Sequence, residues 1–245
     1  MSKPGKAIVV GVGPEAGLGG ALCRRFASEG LQVFVAGRTF EKVEAVARGI
    51  IRDGGRATPV RTDTTRETDV LRLFDLAEKD GGGDLDLVVY NAGNARMGDL
   101  QKMEAALFED TWRVGCFGGF LVGREAARRF VPRERGTILF TGATASVKAR
   151  PPFTAFASAK AGLRALAQAM AREFGPRGIH VAHVIIDGGI AGEKIKVGAA
   201  AFAQAMGEDG LVSLEGLADA YWYLHAQPRT AWTHERDLRT FKEPF

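Results

Sequence analysis

The sequence predicts an α/β protein: a single domain over residues 1–245, built on a doubly wound, seven-stranded parallel sheet with helices on both faces. Three observations carry that expectation. Apolar runs of strand length alternate with amphipathic stretches from one end of the chain to the other. The stretches between runs are long enough to be helical crossovers, which parallel strands require and hairpins do not. The runs "AIVV", "VFVA" and "LVVY" are continuously apolar rather than alternating, as befits strands covered on both faces.

Strands are expected at 7–12, 32–37, 56–62, 85–91, 136–142, 179–186 and 232–238, with helices at 17–29, 40–53, 66–79, 108–131, 153–175 and 214–226. "AIVVGV" opens the chain as a strand and runs straight into glycines that lead a helix. "QVFVAG" ends at "RTFEK", where a polar pair starts the second helix. "RATPVRT" and "LDLVVYN" frame the third helix, and "GGGD" (81–84) is the loop before the fourth strand. "GTILFTG" and "IHVAHVII" flank the long helix at 153–175, and "WTHERDL" closes the sheet. Residues 188–212, rich in glycine and alanine with a weak helical pattern, follow the carboxyl end of a strand, where segments that cover a substrate belong.

Composition narrows the function classes. Of 245 residues, 46% are hydrophobic and 25% charged, the balance of an ordinary water-soluble domain. No run approaches the ~18 apolar residues of a membrane span, and "AIVVGVG" continues into structure rather than into a cleavage site. A cytoplasmic protein with no membrane partner is expected. Cys23 and Cys116 lack metal or redox spacing, so reduced thiols and no metal are expected. The formal charge of +4 is spread along the chain, which argues against a nucleic-acid partner; a phosphate-bearing small molecule accounts better for a few of the arginines.

Gly11, Gly13, Gly17 and Gly19 in "GVGPEAGLGG" lie between the first strand and the first helix. Glycines permit the tight turn there, and a helix N-terminus presents free N–H groups to a pyrophosphate. The fold this selects is a Rossmann sandwich. A site for NAD usually holds an acidic residue at the end of the second strand. Arg38 and Thr39 stand there instead, a guanidinium and a hydroxyl suited to a 2′-phosphate, so NADP(H) is expected over NAD(H). Glu15, in the glycine loop, argues the other way unless it points outward.

These features together, in this order, resemble the short-chain dehydrogenase/reductase family over nearly the whole chain. "VGPEAGLG" is similar to its Thr-Gly-x3-Gly-x-Gly loop, with Val12 in the threonine place; "RTD" puts Asp63 where the family binds adenine; "YNAG" is similar to its Asn-Asn-Ala-Gly segment; and "RGIHVAHVIIDGGI" resembles its sixth strand and Pro-Gly turn, with Asp187 in the proline place. The resemblance implies a cofactor set of Gly13, Gly17, Leu18, Gly19, Arg38, Thr39, Asp63, Asn91, Ala92, Gly93, Lys160, Gly188 and Ile190. It also implies a homodimer or homotetramer, through pairing of the helices at 108–131 and 153–175. Their outer faces are expected to carry Phe117, Phe120, Leu163, Leu166 and Met170.

The family's catalytic Asn, Ser, Tyr and Lys carry over unevenly. The asparagine falls on Gly115, the serine on Ala143, and the tyrosine on Phe156 in "AFASAK"; Lys160 alone is kept. In the family the lysine binds the nicotinamide ribose and lowers the tyrosine pKa. Phenylalanine has no proton to give, and a positioned general acid contributes ~10²–10⁴-fold. Thr144 and Ser146 bring hydroxyls near the serine place, although either can equally be a turn hydroxyl. Tyr90, Tyr221, Tyr223 and His183 read as packing residues. Asp187 is either a carboxyl with a raised pKa facing the cofactor or the start of a "DGG" turn. The candidate catalytic set is therefore Lys160, Phe156, Thr144 and Asp187.

Two functions of different class fit. One is a reductase of a small, apolar or aromatic molecule, recognised by Phe153, Phe156, Ile190, Phe202 and Met206. It would act on an activated acceptor, an imine, iminium or conjugated C=C and less readily a carbonyl, whose reduction does without the tyrosine acid. The other is a catalytically silent dinucleotide-binding protein serving as sensor or partner.

Overall fold

The computed structural model describes residues 5–244; residues 1–4 and 245 of the expected domain lie outside the described residues. Seven parallel strands form one sheet in the order β3-β2-β1-β4-β5-β6-β7. They are β1 (Lys6–Val10), β2 (Gln32–Gly37), β3 (Arg56–Arg61), β4 (Leu85–Tyr90), β5 (Gly136–Thr141), β6 (Ile179–Asp187) and β7 (Glu235–Arg239). Along β1, Ala7 and Val9 face one apolar cluster, and Ile8 and Val10 face another. That two-sided burial is why the first strands read as unbroken apolar runs.

One cluster is closed by α1 (Leu18–Ser28), α2 (Phe40–Arg52) and α9 (Leu214–His225), through Phe26, Val43, Ile50, Tyr221 and Leu224. The other is closed by α3 (Glu67–Lys79), α5 (Gly118–Phe130) and α6 (Thr154–Phe174), through Phe74, Phe130, Leu163 and Met170. Leu163 and Met170 are thus sheet-facing, not on the outer face expected for them. On α5 and α6 it is Phe120, Leu166 and Phe174 that remain accessible.

Two expected elements differ. The helix at 108–131 is broken: α4 (Ala105–Trp112) passes into a π-helical turn at Arg113–Phe117 and then into α5. Small residues at 115, 118 and 119 let that turn press close to its neighbours, since a Cβ on Gly115 would lie 2.6 Å from the Ala159 Cβ on α6. The last strand begins at Glu235 rather than Trp232, because the segment before it is held by irregular bonds: His180 Nε2 lies 2.9 Å from the Thr233 carbonyl, and Trp232 stacks on the His180 ring. Residues 188–212 form two short helices, α7 (Glu193–Gly198) and α8 (Ala200–Met206), fastened by the Ile190–Val212 bridge. Cys23 is buried and Cys116 half-buried, both as free thiols. Among the described residues no helix is long and apolar enough to cross a membrane.

The β6 edge concentrates buried histidines. His183 is inaccessible, its Nδ1 is 3.0 Å from Glu235, and burial pulls its pKa down to about 4. Burial does the same to His225, whose Nδ1 meets Thr137 Oγ1 at 3.0 Å. In the unfolded chain a histidine protonates near ~6.5. Both groups therefore favour the fold fully above that pH, and their contribution is lost as pH falls toward 4. Each lowers stability by on the order of 3 kcal/mol at the end of that window. The melting temperature should fall steeply between pH 6.5 and 4, and His183→Gln should flatten the fall. A flat profile over that range would contradict the assignment.

Candidate active site

β1 is paired with β2 on one side and β4 on the other, and the chain leaves β1 toward one face of the sheet and β4 toward the other, which places a crevice at their carboxyl ends. Gly11 begins it. Its φ of +81° and the absence of a Cβ let the chain turn under the Ala92 backbone, whose amide a side chain at 11 would overlap. The Asn91 side-chain amide, 3.3 Å from the Gly11 carbonyl, fastens the end of β4 to this turn. Gly17 caps α1 without a side-chain hydrogen bond, so the first-turn amides stay available to an anion. Gly13, Gly17, Leu18, Gly19, Asn91, Gly93, Gly188 and Ile190 line one cleft of about 550 Å3, with Phe153, Phe156, Thr144 and Lys160.

A second compartment of about 260 Å3 adjoins it, lined by Arg38, Thr39, Asp63, Ala92 and Gly93. The structure thus gathers the proposed cofactor set around two connected spaces. Two residues here escaped sequence reasoning: Lys42, one turn into α2, and Lys194, on α7. Lys194 lines both compartments. The atoms packed round its ammonium lower its pKa, and the nearby charges of Lys42 and Arg38 lower it further. Lys42, Arg38 and Lys194 thus gather as like charges around the second compartment, a setting that favours an anion. No local signal in "GEKIK" gives the distance to Arg38; it comes from the Glu193 amide, which donates to the Ala16 carbonyl at 2.7 Å and brings α7 over the glycine loop. Glu15 lines neither compartment; its carboxylate turns toward Gly49 on α2. A dinucleotide fits this arrangement: bare glycine backbone and helix amides suit a pyrophosphate, and three cations stand around the second compartment.

At the other end of the cleft, Lys160 is buried, donates to the Thr141 carbonyl at 2.6 Å, and lies 5.8 Å from the centre of the Phe156 ring. Burial lowers its pKa to about 8. Phe156 itself lines the cleft. Thr144 Oγ1 donates to Asp187 Oδ1 at 2.6 Å, so its proton is committed and only its lone pairs face the cleft. Asp187 lies behind the wall, almost wholly buried, with Arg239 at 3.0 Å and Lys148 at 3.9 Å. It serves the cleft as the anchor of Thr144.

The other hydroxyls and phenols are occupied elsewhere. Ser146 Oγ accepts from the Ala143 amide at 3.1 Å and lies 3.5 Å from His183, locking the turn after β5. Tyr90 donates to the Val114 carbonyl in the π-helical turn, and burial raises its pKa. Tyr221 shares a 2.7 Å hydrogen bond with Thr141 Oγ1 under the same effect of burial. Tyr223 is exposed on α9. Phe202 and Met206 do not line the cleft; Ile186 and Ile195 do. Among the described residues no group of three or more His, Cys, Asp or Glu is disposed to hold a metal ion.

Comparison with known proteins agrees with this geometry. The family described as short chain dehydrogenase matches residues 6–193. An uncharacterized oxidoreductase of Bacillus subtilis (strain 168), YuxG, is 37% identical over 187 residues, which is 75% of this chain but only 27% of that longer protein. The crystal structure of a short-chain dehydrogenase from Rhodopseudomonas palustris superposes with a TM-score of 0.82 at 34% identity, covering 97% of this chain and 99% of the other. A metagenomic short-chain oxidoreductase solved in complex with NADP has a TM-score of 0.80 over 98% of this chain and 97% of its own; at 22% identity it speaks to the fold. The chain belongs to the short-chain dehydrogenase family, whose members are oxidoreductases that bind a nicotinamide dinucleotide.

Proposed function

We propose that the protein is an NADP(H)-dependent reductase of a small molecule whose acceptor is already activated, an imine, an iminium or a conjugated C=C bond, with carbonyls reduced more slowly. The observation that carries this reading is the chemistry of the cleft wall. Among the described residues lining it there is no phenol, imidazole, thiol or carboxyl; its polar residues are Asn91, Thr141, Thr144, Lys148, Arg150, Lys160 and Lys194.

When bound, the reduced nicotinamide supplies a hydride. A neutral ketone needs a proton at oxygen as the hydride arrives, and Phe156 has none to give. An iminium carries its charge beforehand, and a conjugated alkene takes its proton afterwards from water. The residues of this chain suit such an acceptor. Thr144, its own proton spent on Asp187, would accept a hydrogen bond from an iminium N–H. Lys160 would hold the ribose hydroxyls. Phe153, Phe156 and Ile190 would exclude water around the reacting atoms. Arg38, Thr39, Lys42 and Lys194 support a preference for NADP(H), and Asp63 would face the adenine end, one of its carboxylate oxygens already accepting from Thr65.

An apolar groove between α5 and α6 holds Phe120, Leu166 and Phe174, flanked by Arg124, Arg128 and Glu173. It supports a symmetric homodimer or homotetramer. Light scattering at micromolar concentration should give the mass of two or four chains; a monomer mass would refute the assembly.

Fluorescence titration should show tighter binding of NADPH than of NADH. Arg38→Ala and Lys194→Ala should each weaken NADPH, the former by roughly ten- to a hundredfold, and leave NADH unchanged. Equal native affinities for the two cofactors would sink the preference. The reaction itself is tested by steady-state NADPH oxidation on matched ketones and cyclic imines. The native protein should favour the imine, and Phe156→Tyr with Ala143→Ser should raise ketone reduction by up to ~10²-fold or more. If the native protein turns over no acceptor, or reduces ketones as fast as imines with Phe156→Tyr changing nothing, the reading fails.

A further inference from the structure

Four cationic side chains line the cleft, Lys148, Arg150, Lys160 and Lys194, against no carboxylate among the described residues. The proposed function uses two of them: Lys194 stands with the phosphate-binding trio, and Lys160 beside the ribose. Lys148 and Arg150 are left over. They lie on the segment between β5 and α6, two strands across the sheet from the glycine loop and next to Phe153 and Phe156.

Internal neutralisation does not account for them. Asp187, a carboxylate behind the wall, is already engaged by Arg239 at 3.0 Å and by the Thr144 hydroxyl at 2.6 Å, and Lys148 reaches it only at 3.9 Å. Arg150 has neither an ion pair nor a side-chain hydrogen bond among the described residues. An unpaired guanidinium at the mouth of an apolar cleft is a ready receptor for a planar anion, which it binds through two parallel N–H bonds. A ligand that closes the cleft would strip water from this pair and strengthen the contact.

We infer that the acceptor carries a carboxylate, held by Arg150 with Lys148 alongside, while its apolar body lies against Phe153 and Phe156. The inference rests on the reading of this cleft as a reductase site and adds the charge and polarity of its substrate. It also orients the molecule: the anionic end points to the β5–α6 segment, and the reacting bond falls between Thr144 and Lys160.

Binding without turnover tests it. Isothermal titration calorimetry is run on the protein saturated with oxidised nicotinamide dinucleotide, with phenylacetate, phenylacetamide and phenyl phosphate as probes. Phenylacetate should bind about tenfold or more tighter than the amide. That preference should collapse toward unity in Arg150→Ala and disappear in Lys148→Ala/Arg150→Ala. Arg150 has no partner to lose, so its variant should keep the native melting temperature. Amide binding equal to carboxylate binding, a preference that survives the double substitution, no binding of either at millimolar concentration, or tighter binding of phenyl phosphate overturns the inference. Because no reduction is needed, a protein that selects phenylacetate yet reduces nothing sinks the proposed function and leaves the carboxylate site standing.

Discussion

Strand β1 sits between two neighbours whose chains leave in opposite directions, and the rest of the molecule is arranged around that fact. From β1 the chain steps outward to β2 and β3 with α1 and α2 on one face; from β4 it steps outward to β5 and β6 with α5 and α6 on the other. Because the chain leaves β1 and β4 toward opposite faces, a crevice opens at their carboxyl ends. The residues that fill its walls are those that the adjoining strand ends supply: glycines after β1, Arg38 and Thr39 after β2, Asp63 after β3, the Asn91–Gly93 segment after β4, Thr144 after β5 and Gly188–Ile190 after β6. In the proposed reading, position along the sheet order would translate into position along a dinucleotide.

That regularity explains what was legible in the sequence. Strand ends are marked by local composition, so "GVGPEAGLGG", "GRT" and "YNAG" announce themselves, and the fold follows from the alternation of runs. What was not legible depended on long-range hydrogen bonds. Lys194 became part of the site only because the Glu193 amide is tied to the glycine loop, a contact between residues far apart in sequence. The segment that carries it showed only a weak helical pattern. The break in the helix at 113–117 was hidden for the opposite reason: its glycine, Gly115, looks like a poor helix former, but its place is set by close approach to α6. Leu163 and Met170 were misplaced on the outer face because a long helix packed on a sheet has apolar residues around more than half of its circumference.

The polar groups around the cleft show a consistent division. Hydroxyls and phenols with acidic or nucleophilic potential are spent on structure: Tyr90 on the π-helical turn, Tyr221 on Thr141, Ser146 on the Ala143 amide, Thr144 on Asp187. The cleft keeps cations, amide groups and apolar surface. Lys160, with its pKa brought to about 8 by burial, is the deeply buried titratable group among the described residues that line the cleft.

The contact between Gly115 and Ala159 makes the two helices interlock at a single point. A Cβ at 115 would meet the Ala159 methyl at 2.6 Å, a distance that packed atoms do not tolerate. A larger residue at 115 therefore demands a smaller one at 159, and that change alone leaves a void against a well-packed turn. The two positions form one packing unit that spans the π-helical turn and α6, and a change at either is felt through the other.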